Sequence, residues 1–130
     1  MLAFFSDGDD DDFSTSSVRA LEAATEGLER LDAVNKARRA ACRSELRTGI
    51  GLHLGEVIFG NVGAPGRLDF TVIGPAVNLA SRIEDLTKQL SRPMLFSSAF
   101  ARICPRPLVS LGFQRVRGLD EPEEVFGLPE

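Results

Sequence analysis

Asn78 and Arg82 stand four residues apart, just after a Gly74-Pro75 step, and of the residues in this 130-residue chain they are the best placed to do chemistry. Side chains at i and i+4 lie one above the other on the same helical face. The run from Leu68 to Ile73 is apolar and β-like, and the Gly-Pro step ends it. Pro75 suits a first helical position, so a helix starts there. Val77, Leu79, Ala80, Ile83 and Leu86 lie largely on the other side of that helix. The core claims their stripe and leaves the amide and the guanidinium free. An amide and a guanidinium aimed the same way near a helix start can grip a charged, planar or phosphorylated ligand. A solvated helix face carries the same residue types, so spacing alone leaves both readings open.

The rest of the chain must hold this segment in place. Leu2–Phe5 is short, apolar and aromatic and reads as a buried strand. The acidic run Asp7 to Asp12 lacks the bidentate Glu and alternating ligands of a calcium loop, and it reads as a solvated turn. Ser14 to Ser17 are candidate caps for the next helix. From Val18 to about Cys42, the residues Val18, Leu21, Ala24, Leu28, Leu31 and Val34 recur at three- and four-residue steps, which predicts an amphipathic helix. Arg38, Arg39 and Arg43 near its end suit the helix dipole and read as a solvated end.

Arg47–Leu54 reads as a strand in which Gly49, Gly51 and nearby Gly55 have no side chain to pack, so something must come close there. Val57–Phe59 is a second short strand, and Gly60 to Gly66 a turn-rich loop. The Pro75 helix runs to about Leu90. Pro93–Phe96 is a strand, Ser97 or Ser98 caps a brief helix to about Ile103, and Pro105 and Pro107 end it. Leu108–Arg117 and Glu124–Leu128 supply the last strands. The expected order is β-α-β-β-α-β-α-β-β, an α+β sandwich with helices packed on a mainly antiparallel sheet.

The apolar share of 43% and the charged share of 26% are those of an ordinary soluble domain. A formal net charge of −4 disfavours a general nucleic-acid binder, so no nucleic acid is expected as partner. No apolar run is long enough to span a membrane, and no signal peptide is visible. The two cysteines, Cys42 and Cys104, follow no metal-site spacing and read as reduced thiols of a cytoplasmic protein. His53 is the only histidine and reads as a structural or interface residue.

Three pieces in register make this sequence resemble the catalytic domain of class III nucleotide cyclases, the adenylate and guanylate cyclases. They are Gly49 to Val57 (Gly49-Ile50-Gly51-Leu52-His53-Leu54-Gly55-Glu56-Val57), Gly60-Asn61-Val62-Gly63, and Asp69-Phe70-Thr71-Val72-Ile73-Gly74 through Arg82. Weaker similarity continues at both ends: Met1–Phe5 resembles a central strand, and Val116-Arg117-Gly118-Leu119 with Glu124–Leu128 resembles the final strands. The resemblance implies the ferredoxin-like cyclase fold over residues 1–130. It also implies that this is a partial domain, truncated at its N-terminus, because the family's two metal-binding aspartates have no position in this sequence.

The implied reaction converts ATP to 3′,5′-cyclic AMP and pyrophosphate. By the same resemblance Asn78 orients the ribose and Arg82 stabilises charge at the α-phosphate. Thr71, beside Val72, takes the second base-reading position, where its hydroxyl suits an adenine edge. Arg117 falls where the family places a phosphate-binding lysine, and a solvated strand-end cation is its other reading. Mg²⁺ or Mn²⁺ would serve the intact family domain, with no ligands from this chain, and sites form between two cyclase domains. The expectation is therefore an adenylate cyclase fragment, inactive alone, whose partners are ATP and a second cyclase domain. The alternative is a non-catalytic cyclase-like module that dimerises or binds nucleotide.

Overall fold

The computed structural model describes residues 2–5, 13–56, 58–62 and 69–129. The acidic run Asp7 to Asp12, Val57 and the loop residues Gly63 to Gly66 lie outside the described residues. The elements are α1 (Phe13–Ala40), β1 (Ile50–Leu52), β2 (Ile58–Val62), β3 (Asp69–Ile73), α2 (Pro75–Gln89), β4 (Met94–Ser97), α3 (Ser98–Ile103), β5 (Val109–Gln114) and β6 (Glu123–Gly127). The α+β expectation holds.

Four strands form one sheet in the order β1-β4-β6-β5, and β2 pairs with β3 in a separate hairpin. β1 and β4 are parallel, whereas β4–β6 and β5–β6 are antiparallel. A parallel pair needs a crossover, and here the β2–β3 hairpin and α2 supply it. Side chains alternate across a strand, so β4 feeds both faces of the sheet. Met94 and Phe96 join Leu21, Ala24, Leu52 and Phe100 in a cluster under α1 and α3. Leu95 joins Ile83, Leu86, Val116 and Val125 under α2. All four β4 residues are therefore buried. Full burial of a side chain such as Ile83, Leu95 or Phe96 contributes about 1.5–3 kcal/mol.

Local expectations were corrected where longer-range contacts decide. Leu2–Phe5 forms no strand among the described residues, and Leu2 and Phe4 are 49% and 44% exposed. A strand exists only through a neighbour's hydrogen bonds, and the described residues offer these four none in a ladder. Ser16 and Ser17 lie inside α1, bonding back to the carbonyls of Phe13 and Ser14 at 3.1 and 2.7 Å in place of capping. The second half of α1 leaves the core: Val34 is 47% exposed, and the pairs Arg30–Glu26 and Lys36–Asp32 lie on solvated faces. The strand expected over Arg47–Leu54 contracts to Ile50–Leu52, because β4 pairs with those three residues alone. Gly60-Asn61-Val62, expected as loop, is strand: Gly60 stands opposite Thr71 and Val62 opposite Asp69. Pairing overrides the local glycine signal.

The turn from α1 into β1 is tied by side chains. Asn35 uses both ends of its amide on the Leu46 backbone, donating to the carbonyl at 2.9 Å and accepting from N–H at 2.7 Å. Arg38 Nε donates to the Ser44 carbonyl at 2.6 Å, and Arg39 pairs with Glu45. The basic helix end thus fastens the returning chain.

Candidate functional site

The site is built on α2 and on the strand that leads into it. Gly74 caps α2 with φ 143°, a backbone conformation that favours glycine, and Pro75 opens the first turn. Gly74 O accepts from Val77 N at 3.1 Å. Ile83 and Leu86 are buried under α2. Asn78 is exposed, and the Arg82 side chain keeps 40% of its surface. The sequence expectation that the core takes one stripe and leaves the Asn78 and Arg82 face open is met.

Arg82 Nη1 lies 3.5 Å from Asp85 Oδ2 on the next turn. Both groups are well exposed, and a long surface pair of this kind contributes little. The contact orients the guanidinium without fixing it, so an anionic ligand can take Asp85's place. Sequence reading missed Asp85; its i,i+3 spacing from Arg82 was the available signal.

The glycines in and around β1 explain how α2 is held. A Cβ on Gly51 would lie 2.6 Å from both the Ala80 carbonyl oxygen and the Glu84 nitrogen. One on Gly49 would meet Thr87 Cβ at 2.9 Å, and one on Gly55 would meet Ala76 Cβ at 2.5 Å. What comes close to these glycines is therefore α2, through its backbone at Gly51 and through side chains at Gly49 and Gly55. Thr87 is fixed in turn by its hydroxyl, which donates to the Glu84 carbonyl at 2.7 Å. The contact spans the turns that carry Asn78 and Arg82.

Thr71 and Val72 are placed by register in β3, opposite Gly60 and Phe59, on the strand that ends at Gly74. One continuous strand-turn-helix segment thus carries Thr71, Val72, Asn78 and Arg82. Arg117 is exposed in a turn closed by Leu119 N to Val116 O at 3.1 Å. Its neighbour Val116 is buried in the cluster under α2. No described contact joins Arg117 to Asn78 or Arg82. A shallow groove lined by Leu21, Glu22, Thr25, Arg106 and Leu128 belongs to α1, on the opposite side of the sheet.

His53 follows β1 and bonds through Nδ1 to Ser97 Oγ at 2.7 Å. Burial pushes its imidazole below the usual value, against an opposing pull from Glu123. Ser97 also caps α3, accepting from Phe100 N at 3.1 Å. The Ser97 cap was legible in sequence, whereas its link to His53 was not. That link needs the parallel β1–β4 register, in which Leu52 faces Phe96. The two cysteines are free, Cys42 exposed and Cys104 half-buried against the α1 cluster.

Among the described residues no three His, Cys, Asp or Glu side chains group as a metal site. No helix among them is long and apolar enough to cross a membrane.

The profile of the adenylate and guanylate cyclase catalytic domain matches residues 12–92. Adenylate cyclase 1 of Rhizobium meliloti (strain 1021) is 43% identical over 76 residues, which cover 58% of this chain and 11% of that protein. The adenylate cyclase of Anabaena cylindrica is 36% identical over 136 aligned residues, covering 97% of this chain and 26% of that protein. The chain thus spans about a tenth and about a quarter of these relatives' lengths. The crystal structure of the adenylyl cyclase CyaB from P. aeruginosa superposes with a TM-score of 0.80 at 24% identity, covering 97% of this chain and 65% of that one. At that identity the likeness speaks to fold alone.

Proposed function

Because this chain belongs to the adenylate and guanylate cyclase catalytic domain family, we propose that it carries the ligand-orienting half of an adenylate cyclase site. The reaction is ATP to 3′,5′-cyclic AMP and pyrophosphate. The observation that carries the reading is the Asn78 and Arg82 pair on the open face of α2, seated by direct backbone contact with Gly51. The family uses a nucleotide substrate, works as a dimer and is generally metal-dependent.

In this reading the Asn78 amide holds the ribose, so that the 3′-hydroxyl faces the α-phosphorus. The Arg82 guanidinium takes the negative charge that grows on the α-phosphoryl oxygens as pyrophosphate leaves. Catalysis of this kind is mostly positioning and charge stabilisation. Thr71, with Val72 beside it, reads the base edge, and its hydroxyl favours adenine over guanine. Arg117 supplies further positive charge for the phosphates. A second cyclase domain faces the α2 surface and completes the site. Mg²⁺ or Mn²⁺ would be held by carboxylates other than those of the described residues.

A second reading is a non-catalytic cyclase-like module that dimerises or binds nucleotide. Complementation separates the two. The chain is mixed with a cyclase domain that supplies metal-binding carboxylates but lacks the Asn/Arg pair, and cyclic AMP and cyclic GMP are assayed with Mg²⁺ or Mn²⁺. Cyclic AMP formed by the mixture and by neither component alone supports the half-site. Nucleotide binding without product in any mixture supports the module. Substantial turnover by the purified chain alone would overturn the half-site division.

A further inference from the structure

The exit of β1 is fastened by the chain's single histidine. Ser97 is fully buried, and its Oγ accepts the Phe100 N–H, so its hydroxyl proton needs an acceptor. Among the described contacts His53 Nδ1, at 2.7 Å, is the acceptor available. That assignment leaves Nδ1 bare and puts the imidazole proton on Nε2. Nε2 points toward Gly55, where a Cβ would stand 3.0 Å from it and 2.5 Å from Ala76 Cβ in the first turn of α2. Glu123 on β6 is occupied at the same end of the sheet, accepting from the N–H and the hydroxyl of Ser98 at 3.2 and 2.8 Å. The imidazole therefore joins the end of β4, through Ser97, to the Gly55 step, which lies against Ala76 in the first turn of α2.

We propose that His53 is a positioning residue of the nucleotide site: its neutral imidazole, accepting from Ser97 and wedged at Gly55, fixes the first turn of α2 and with it the place of Asn78. The proposal rests on the nucleotide reading above only for what the positioned residue does. Its geometry stands apart from that reading. A protonated imidazole can no longer accept from Ser97, and it would set a positive charge beside a helix N-terminus, which favours anions. Burial opposes the cation, while Glu123, the charged group that faces the ring, favours it. Protonating His53 therefore reverses the bond, Nδ1–H donating to Ser97 Oγ, strands the buried hydroxyl proton without that acceptor and loosens the Asn78 end of the site.

One histidine gives one imidazole spectrum, so the test is direct. The tautomer is read from long-range ¹⁵N–¹H spectra of the full chain. The amides of Ala76, Val77 and Asn78 are followed through the His53 titration. Affinity for α,β-methylene-ATP with Mg²⁺ is measured beside them. The expected result is a single Nε2–H tautomer at about pH 7.5, with those amides shifting at the His53 midpoint. Affinity should fall about fivefold across the same transition, at the low end of coupling between linked sites. His53→Asn, whose side-chain oxygen can still accept from Ser97, should keep the neutral-pH affinity and lose the pH step. His53→Leu should lose affinity at all pH values, and rescue by Asn but not by Leu separates positioning from packing. Mixed tautomers at neutral pH, or Asn78 amides indifferent to the His53 titration, would overturn the proposal. Coupled His53 and Asn78 signals without binding of the analogue at any pH, by the chain alone or mixed with the complementing cyclase domain, would support the positioning and sink the nucleotide reading.

Discussion

Gly51 of β1 lies directly against Glu84 of α2: a Cβ on the glycine would stand 2.6 Å from the Glu84 nitrogen and 3.1 Å from its Cα. These are backbone atoms and cannot swing aside as a side-chain tip can. Gly51→Ala must push α2 off the sheet or strain β1, and overpacking of this kind costs about 1–3 kcal/mol. Urea unfolding should show a lower midpoint for Gly51→Ala. A variant as stable as the parent would mean that α2 is not seated on β1.

Gly27 is the contrasting case. It lies in the exposed middle of α1, where a Cβ would meet nothing within 4 Å. A glycine in a helix interior costs about 0.8–1 kcal/mol relative to alanine. Gly27→Ala should therefore raise the stability by that much and the unfolding midpoint with it. The same substitution at two glycines thus moves stability in opposite directions, and thermal melts of the pair decide it.

Asn78 and Arg82 carry the proposed chemistry without carrying the fold. Asn78 is exposed, and Arg82 has one long contact to Asp85. Substitution at either position should change stability by no more than about 0.5 kcal/mol. In the complementation assay, Asn78→Ala and Arg82→Ala should each lower cyclic AMP formation about 10²–10³-fold, the effect of removing a donor aimed at developing charge. Arg82→Lys should recover little, because an ammonium lacks the guanidinium fork. Full activity in Arg82→Lys would argue against a forked contact to phosphate.

Asn35 holds the return from α1 by two bonds to the Leu46 backbone, at 2.9 and 2.7 Å. Asn35→Ala removes both. Each such bond is worth about 0.5–1.5 kcal/mol net, and solvent can replace these exposed ones. The expected effect is therefore local, read as faster hydrogen exchange at the Leu46 amide with the core amides unchanged. Unaltered exchange at Leu46 would show that Arg38 and Arg39 suffice to hold the turn.

Local signals in the sequence foretold the elements whose cause is local. The Pro75 start of α2, the Ser97 cap of α3 and the apolar face of α2 all came out as read. The glycines at 49, 51 and 55 announced a close approach, and the approaching body is α2. Elements whose cause is a distant partner were misjudged. Gly60 to Val62 look like loop until β3 pairs with them, and Arg47–Gly49 look like strand although β4 reaches Ile50–Leu52 alone. Asn78 and Arg82 were legible because helical spacing is itself a geometry. The bond between His53 and Ser97 joins residues 44 apart, and no local pattern could place it.

Burial of His53 gives the fold a pH dependence of definite sign. An ordinary histidine titrates near 6.5, and burial holds His53 lower in the folded chain. Between the two values the unfolded chain binds a proton that the folded one refuses. Stability is therefore complete above about pH 6.5. It falls as the pH drops through that value and stops falling once the folded imidazole is also protonated. A single group can contribute a slope of at most about 1.4 kcal/mol per pH unit. Most carboxylates titrate near pH 4, so urea midpoints at about pH 7.5 and pH 5.5 isolate the histidine. The parent chain should lose stability between them, while His53→Asn should hold nearly level. Equal losses in both proteins would place the titrating group elsewhere and leave the His53–Ser97 bond without a part in the pH response.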